Sequence, residues 1–348
     1  MTSRIPSEPP LIEPLPVGVK RPLWSVMIPT YNCYEFIKEA VESVLMQDPG
    51  SEIMQIQVVD DHSTDGDVEA LVEEIGHGRV LFFRQECNQG SLRNFETCIN
   101  LSKGKYVHLL HGDDRVELGF YKEINELFNN NPEVGAAFTN YFFIDYNSLP
   151  LDITNQPLLK LPGIIPDFLY LIAKHQLIQP PAIVVKREVY ETLGSFYAVH
   201  FGEDWEMWTR IASRFKVAYS PSLYAAYRVG HGMGISHSYV LNGKNISEIK
   251  KVIDIIQTYL PNEVRKKFKK YASSYYAIYC VKIANGLLLK NKKAAFQQVR
   301  GAWEMSRNLL TTYWVIRFYL LYLSRYKELE SKLHNKEKKK KLLRAFNS

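Results

Sequence analysis

The chain has 348 residues, of which 46% are apolar, 13% aromatic and 23% charged. That much apolar side chain offsets the ordering entropy of a sizeable core, which excludes a disordered, collagenous or rod-like protein. The formal charge is +6, but residues 332–344 hold seven lysines and arginines against Glu337 alone, so the basic signal belongs to a tail and the body is near neutral.

Residues 1–22 carry prolines and glutamates where a secretory signal would need an apolar run, and they read as a flexible leader. A strand over 24–28 is followed by a helix over 34–46, with Phe36, Ile37, Ala40, Val41, Val44 and Leu45 at helical spacing. Strands at 56–59, 80–83 and 106–110 then alternate with helices at 67–75 and 91–102. This alternation predicts an α/β fold, Rossmann-like, with a mainly parallel central sheet built from βαβ units and covered on both faces. Further strands are predicted at 136–144 and 182–185, separated by a surface excursion over 149–166 that is rich in Pro, Asn and Asp. Residues 240–333 read as helices punctuated by Pro261, Asn291 and Asn308. No stretch reaches the roughly 18 apolar residues of a membrane span; the nearest, 313–323, contains Arg317. Cys33, Cys87, Cys98 and Cys280 are too few and too scattered for a disulfide scaffold, which suggests a reducing compartment.

In a doubly wound sheet the ligand lies beyond the carboxyl ends of the strands. Three early strands end there in polar clusters: Pro29-Thr30-Tyr31-Asn32, the run from Asp60 through Asp61 to Gly66, and His111-Gly112-Asp113-Asp114. Neither a Gly-x-Gly-x-x-Gly turn nor a P-loop is present. Carboxylates repel a bare pyrophosphate. A site built on Asp61 and Asp113 therefore needs a neutral ligand part, such as a base N–H on Asp61, and a cation, Mg²⁺ or Mn²⁺ on Asp113, to carry a diphosphate.

These clusters, with Asn88-Gln89-Gly90, Arg93-Asn94 and the later Gly202-Glu203-Asp204-Trp205-Glu206, fall in an order and spacing that resembles the family 2 glycosyltransferases of the bacterial cell-surface polysaccharide type, which have the GT-A fold. The resemblance spans about 24–236. It implies a domain over 23–236, with a nucleotide-sugar half (23–115) and an acceptor half (116–236), then a C-terminal helical appendage (237–334) and a basic tail (335–348). Pro29, Tyr31 and Asp61 would frame the nucleobase, Arg93 would lie near ribose or phosphate, and His111 and Gly112 would complete the donor site. Asp113 matches the last carboxylate of the Asp-x-Asp metal motif, whose first position is His111 here. Arg228 and His231, in a glycine-spaced stretch suited to a lid, would meet the diphosphate, His231 also as a metal ligand. Asp204 matches the general base. The implied activity is inverting transfer from a nucleoside-diphosphate sugar to a glycan or lipid-linked acceptor, in the cytoplasm or at the inner face of the cell membrane.

Blander readings stand beside these. Asp61 and its neighbours, Asp113-Asp114 and Asp204 sit where helix caps and turns also favour carboxylates. A lone histidine such as His231 is often a packing residue. The aromatic run from Tyr313 to Tyr326 reads as helix packing, and the lysines at 338–341 as a solvated end or a surface anchor for anionic lipid. Two rival functions remain: a sugar-nucleotide hydrolase or nucleotidyltransferase, and a non-catalytic protein whose tail binds nucleic acid. The near-neutral body disfavours nucleic acid as a partner.

Overall fold

The computed structural model describes residues 3–152, 156–230 and 235–324. In chain order β1 (Trp24–Thr30), α1 (Tyr34–Leu45), β2 (Met54–Asp60), α2 (Val68–Gly76), β3 (Leu81–Arg84), α3 (Ser91–Leu101) and β4 (Tyr106–Leu109) form the first half. Then come β5 (Arg115–Val116), α4 (Phe120–Asn130), β6 (Val134–Ile144), β7 (Gly163–Ile164), α5 (Phe168–Ile172), β8 (Ile183–Lys186), α6 (Arg187–Leu193), α7 (Glu203–Ala212) and β9 (Lys216–Arg228). The helices α8 (Ile235–Asn242), α9 (Lys244–Tyr259), α10 (Asn262–Leu287), α11 (Lys292–Met305) and α12 (Leu309–Leu323) follow.

The strands form one sheet in the order β3-β2-β1-β4-β8-β6-β9-β5, with β7 added on β9. β1, β2, β3 and β4 are parallel, as their alternation with helices predicts, and every residue of β1 and β2 is buried. β8 runs antiparallel between β4 and β6. β9, which sequence patterning left unassigned, pairs with β6 in parallel over almost its whole length. Pro221 hides it: Thr139 pairs with Ser220 while Asn140 pairs with Leu223, so Pro221 and Ser222 bulge out where no ladder N–H is needed.

The leader, expected to be flexible, is laid along the body. The Pro6 and Pro10 carbonyls accept from the N–H groups of Ala198 and Ser195 at 2.9 and 2.8 Å, and Ile12 is buried in the main core. Those loop donors would otherwise lack backbone partners, which explains why an irregular segment is held there. The division expected near residue 236 is not a break in packing. Ile249, Val252, Ile253 and Ile256 of α9 and Phe268, Ala272 and Tyr276 of α10 belong to the main core, and the second half of α10 forms a smaller core with α11 and α12.

Candidate active site

A cleft of about 1370 Å³ opens beyond the carboxyl ends of β1, β2 and β4 and is closed on its far side by α7, β9 and α10. Pro29, Tyr31, Asp61, His111, Gly112, Asp113, Asp204 and Arg228 all line it. Gln156 and Leu158 of the predicted surface excursion also line it, because β7 pins that segment to β9.

At the carboxyl end of β2, buried Asp60 accepts from Arg84 at 2.6 Å and holds the Ser63 turn. Asp61 accepts the backbone N–H groups of Gln89 and Gly90 at 2.6 and 2.8 Å, so its carboxylate fixes the 88–90 loop while keeping lone pairs for a ligand N–H. Burial pushes its pKa up. The helix cap on α2 is Asp67, which accepts from the Ala70 N–H, so capping does not account for Asp61. Gly112 is required by close approach: a Cβ there would lie 2.8 Å from Cys33 Sγ and 2.9 Å from Thr30 Oγ1.

His111, Asp113 and Asp114 present ligand atoms within 4.8 Å of one another. His111 stacks on Phe95 at 5.2 Å, and burial pushes its pKa down, leaving the neutral ring that a metal needs. Asp114 Oδ1 accepts from the Arg228 backbone N–H at 2.8 Å, while its buried Oδ2 has no partner among the described residues. One imidazole and two carboxylates, one of them with an orphaned buried oxygen, fit a divalent cation. Asp114, to which the sequence pattern assigned no metal role, joins this set.

Two arginines depart from expectation. Arg93 does not line the cleft; its Nε donates to the Ser3 carbonyl at 2.9 Å and its Nη1 to Glu96 at 2.6 Å. Arg4 of the leader lines the cleft instead, donating to Asn88 Oδ1 beside Gly90. Arg228 lines the cleft, but its side chain is 0% exposed and its guanidinium donors are spent. Nε donates to the Asp113 carbonyl, Nη1 to the Asp145 and Tyr146 carbonyls, and Nη2 to Glu39 and Ser148. It ties the Asp113-Asp114 turn to α1 and does not offer a free donor to a diphosphate. His231 lies outside the described residues.

On the far side of the cleft, Asp204 stands in the first turn of α7. Its Oδ2 accepts from Gln176 Nε2 at 2.6 Å and its Oδ1 from the Trp205 N–H at 2.7 Å. The helix N-terminus favours the anion, yet burial dominates and pushes the pKa up to about 6. Neighbouring Glu203 is raised well above its ordinary value by burial and by Asp204. Tyr227 also lines the cleft, where burial first and then the charges of Asp114, Asp113, Asp204 and Glu203 push its pKa up. Gln176 and Tyr227 carry no motif of their own, and sequence reasoning assigned neither a role.

Residues 25–193 match the family described as Glycosyl transferase family 2. An uncharacterised glycosyltransferase of Mycoplasma genitalium is 30% identical over 118 residues, 33% of this chain and 40% of that protein, so the chain spans about two fifths of that relative. The Escherichia coli UDP-Glc:alpha-D-GlcNAc-diphosphoundecaprenol beta-1,3-glucosyltransferase WfaP is 24% identical over 216 residues, 62% of this chain and 80% of that one. A crystal structure of S. aureus TarS in complex with UDP-GlcNAc superposes with a TM-score of 0.61 at 17% identity, covering 80% of this chain and 79% of that chain, a likeness of fold. With its strand-end clusters gathered around one cleft, the segment over residues 25–193 is a glycosyl transferase family 2 domain.

Proposed function

We propose that the protein is an inverting glycosyltransferase that moves a sugar from a UDP-type nucleoside-diphosphate sugar to a hydroxyl of a glycan or lipid-linked glycan. The observation that carries this reading is one partly buried carboxylate of raised pKa, Asp204, sharing a cleft with the His111, Asp113 and Asp114 group. The donors named for TarS and WfaP, and the lipid-linked acceptor named for WfaP, support the substrate classes.

In this reading Pro29, Tyr31 and Asp61 seat the base, and Asp113, His111 and Asp114 would hold Mg²⁺ or Mn²⁺. Bound there, the cation would neutralise charge on the departing diphosphate. Ionised Asp204 takes the acceptor proton as that oxygen bonds to the anomeric carbon and the bond to the diphosphate breaks on the opposite side. Gln176 orients the base, and Arg228 holds the Asp113-Asp114 turn in place. A single displacement with one base inverts the anomeric centre.

No helix among the described residues is long and apolar enough to cross a membrane. Leu309, Tyr313, Ile316, Leu320 and Leu323 form an exposed stripe on α12 at alternating spacings of four and three. With the lysines that follow in sequence, this stripe supports a peripheral contact with an anionic membrane. The basic tail itself lies outside the described residues.

The test is UDP release from a panel of UDP sugars with Mn²⁺ or Mg²⁺, with and without glycan acceptors. Acceptor-dependent release supports transfer, acceptor-independent release with free sugar supports hydrolysis, and no release from any donor refutes both.

A further inference from the structure

Tyr271, Tyr275 and Tyr279 follow one another at intervals of four on α10, so their side chains share one face of the helix. They are 46, 45 and 37% exposed, whereas their neighbours Ala272, Tyr276 and Cys280 are buried. A tyrosine so exposed on a helix packed into two cores gains little for stability. None of the three hydroxyls has a hydrogen-bond partner among the described residues, whereas the hydroxyl of buried Tyr276 accepts from the Gln176 N–H at 3.2 Å.

Tyr275 and Tyr279 line the same cleft as Asp204, and Tyr271 continues the row one turn beyond that lining. The row is fixed relative to the base. Tyr276 sits 4.7 Å from the Trp205 ring, Trp205 follows Asp204 directly, and Gln176 bonds both Tyr276 and Asp204. The His175 ring stacks on Tyr275 at 4.2 Å, setting the plane of that tyrosine. At 1.5 Å per residue the row extends roughly 12 Å along the helix.

We infer that this tyrosine row is a binding track for the sugar rings of an oligosaccharide acceptor, leading its terminal hydroxyl toward Asp204. The inference rests on the function proposed above and narrows its acceptor to a chain of several sugars. Sugar rings present a C–H face and an edge of hydroxyls, which match an aromatic face with a free polar tip. A polyprenyl chain would call for Leu, Ile or Phe along the row, since it offers the tyrosine hydroxyls nothing to bond. Continuity with the cleft is what commits the face to the acceptor.

The test titrates the full chain, saturated with UDP and Mn²⁺, with chito-oligosaccharides of one to six units, and repeats the series on Tyr271→Ala/Tyr275→Ala and on Tyr271→Phe/Tyr275→Phe. The chain-length series should show hexamer binding at least tenfold tighter than dimer, a gain lost in the alanine variant and largely kept in the phenylalanine variant. UDP affinity should stay at the wild-type value in both, and the phenylalanine variant should melt like wild type. Equal affinity for dimer and hexamer, or a length dependence that survives in the alanine variant, overturns the track. Binding of undecaprenyl phosphate that the alanine variant loses, with no response to the oligosaccharides, overturns it in favour of a lipid groove. Wild-type protein that does not bind UDP points to failure of the proposed function, a result separate from the oligosaccharide series because it is read on the donor alone.

Discussion

Gln176 donates from Nε2 to Oδ2 of Asp204 at 2.6 Å, while its own Oε1 is buried without a partner among the described residues. That bond favours the ionised carboxylate and opposes the burial that raises it. Replacing Gln176 with Leu should therefore move the acid limb of kcat/KM to higher pH and cut the rate at pH 7 by about tenfold, the scale of one hydrogen bond to a charged group. UDP affinity should not change. A lowered rate with an unmoved acid limb would make Gln176 a packing residue only.

Stability carries the same signature. A carboxyl whose native pKa is about 6, above its unfolded value near 3.9, binds more protons in the folded state between those limits. Its contribution makes the fold less stable as pH rises through that window and is level above it. The raised Glu203 beside it extends the trend to higher pH as a coupled pair. Asp204→Asn should melt higher than wild type at pH 7, and the gap should shrink toward pH 4. Melting curves across pH 4–8 check this; an identical pH dependence in the two proteins would contradict the raised pKa.

Arg228 is predicted to be a structural tie. Arg228→Lys keeps the charge but loses the fork that reaches Glu39, Ser148 and the Asp113, Asp145 and Tyr146 carbonyls. Each carbonyl left without its donor costs about 1–3 kcal/mol. Denaturant unfolding should register that loss. Full stability combined with weakened UDP binding would restore Arg228 to the diphosphate.

Much of the first half was legible because β1, β2 and β4 are short, mainly apolar runs that stop at polar clusters, and a parallel sheet gathers such ends at one edge. Arg4 was not legible: nothing in a proline-rich leader signals that its carbonyls will meet the N–H groups of Ser195 and Ala198 and carry a guanidinium to Asn88. The position of Arg93 outside the cleft lining has the same origin, since Ser3 and Glu96 occupy it. β9 was hidden by a proline that the bulge accommodates. Gln176 and the tyrosines of α10 acquire meaning only through contacts made across the fold.

The metal group gives a separate prediction. Asp113→Ala should abolish the Mn²⁺-dependent part of UDP binding in calorimetry and leave the melting temperature of the unliganded protein near wild type. Asp114→Ala should lower both, because Asp114 also accepts the Arg228 N–H. Titration heats in Asp113→Ala that still depend on Mn²⁺ would remove Asp113 from the site.

The stripe on α12 predicts that Ile316→Glu/Leu320→Glu reduces co-sedimentation with anionic vesicles without altering UDP binding. The electrostatic share should weaken at physiological salt, where screening acts over about 8 Å. Wild-type protein that stays in the supernatant at low salt would dismiss the membrane contact.

The most direct measurement of the central claim compares wild type with Asp204→Asn, each first titrated with UDP and Mn²⁺ and then assayed for UDP released from a UDP sugar in the presence of a glycan acceptor. The account predicts equal UDP affinity in the two proteins and at least a hundredfold slower release from the variant, the scale of losing a general base. Release by Asp204→Asn at the wild-type rate would contradict it.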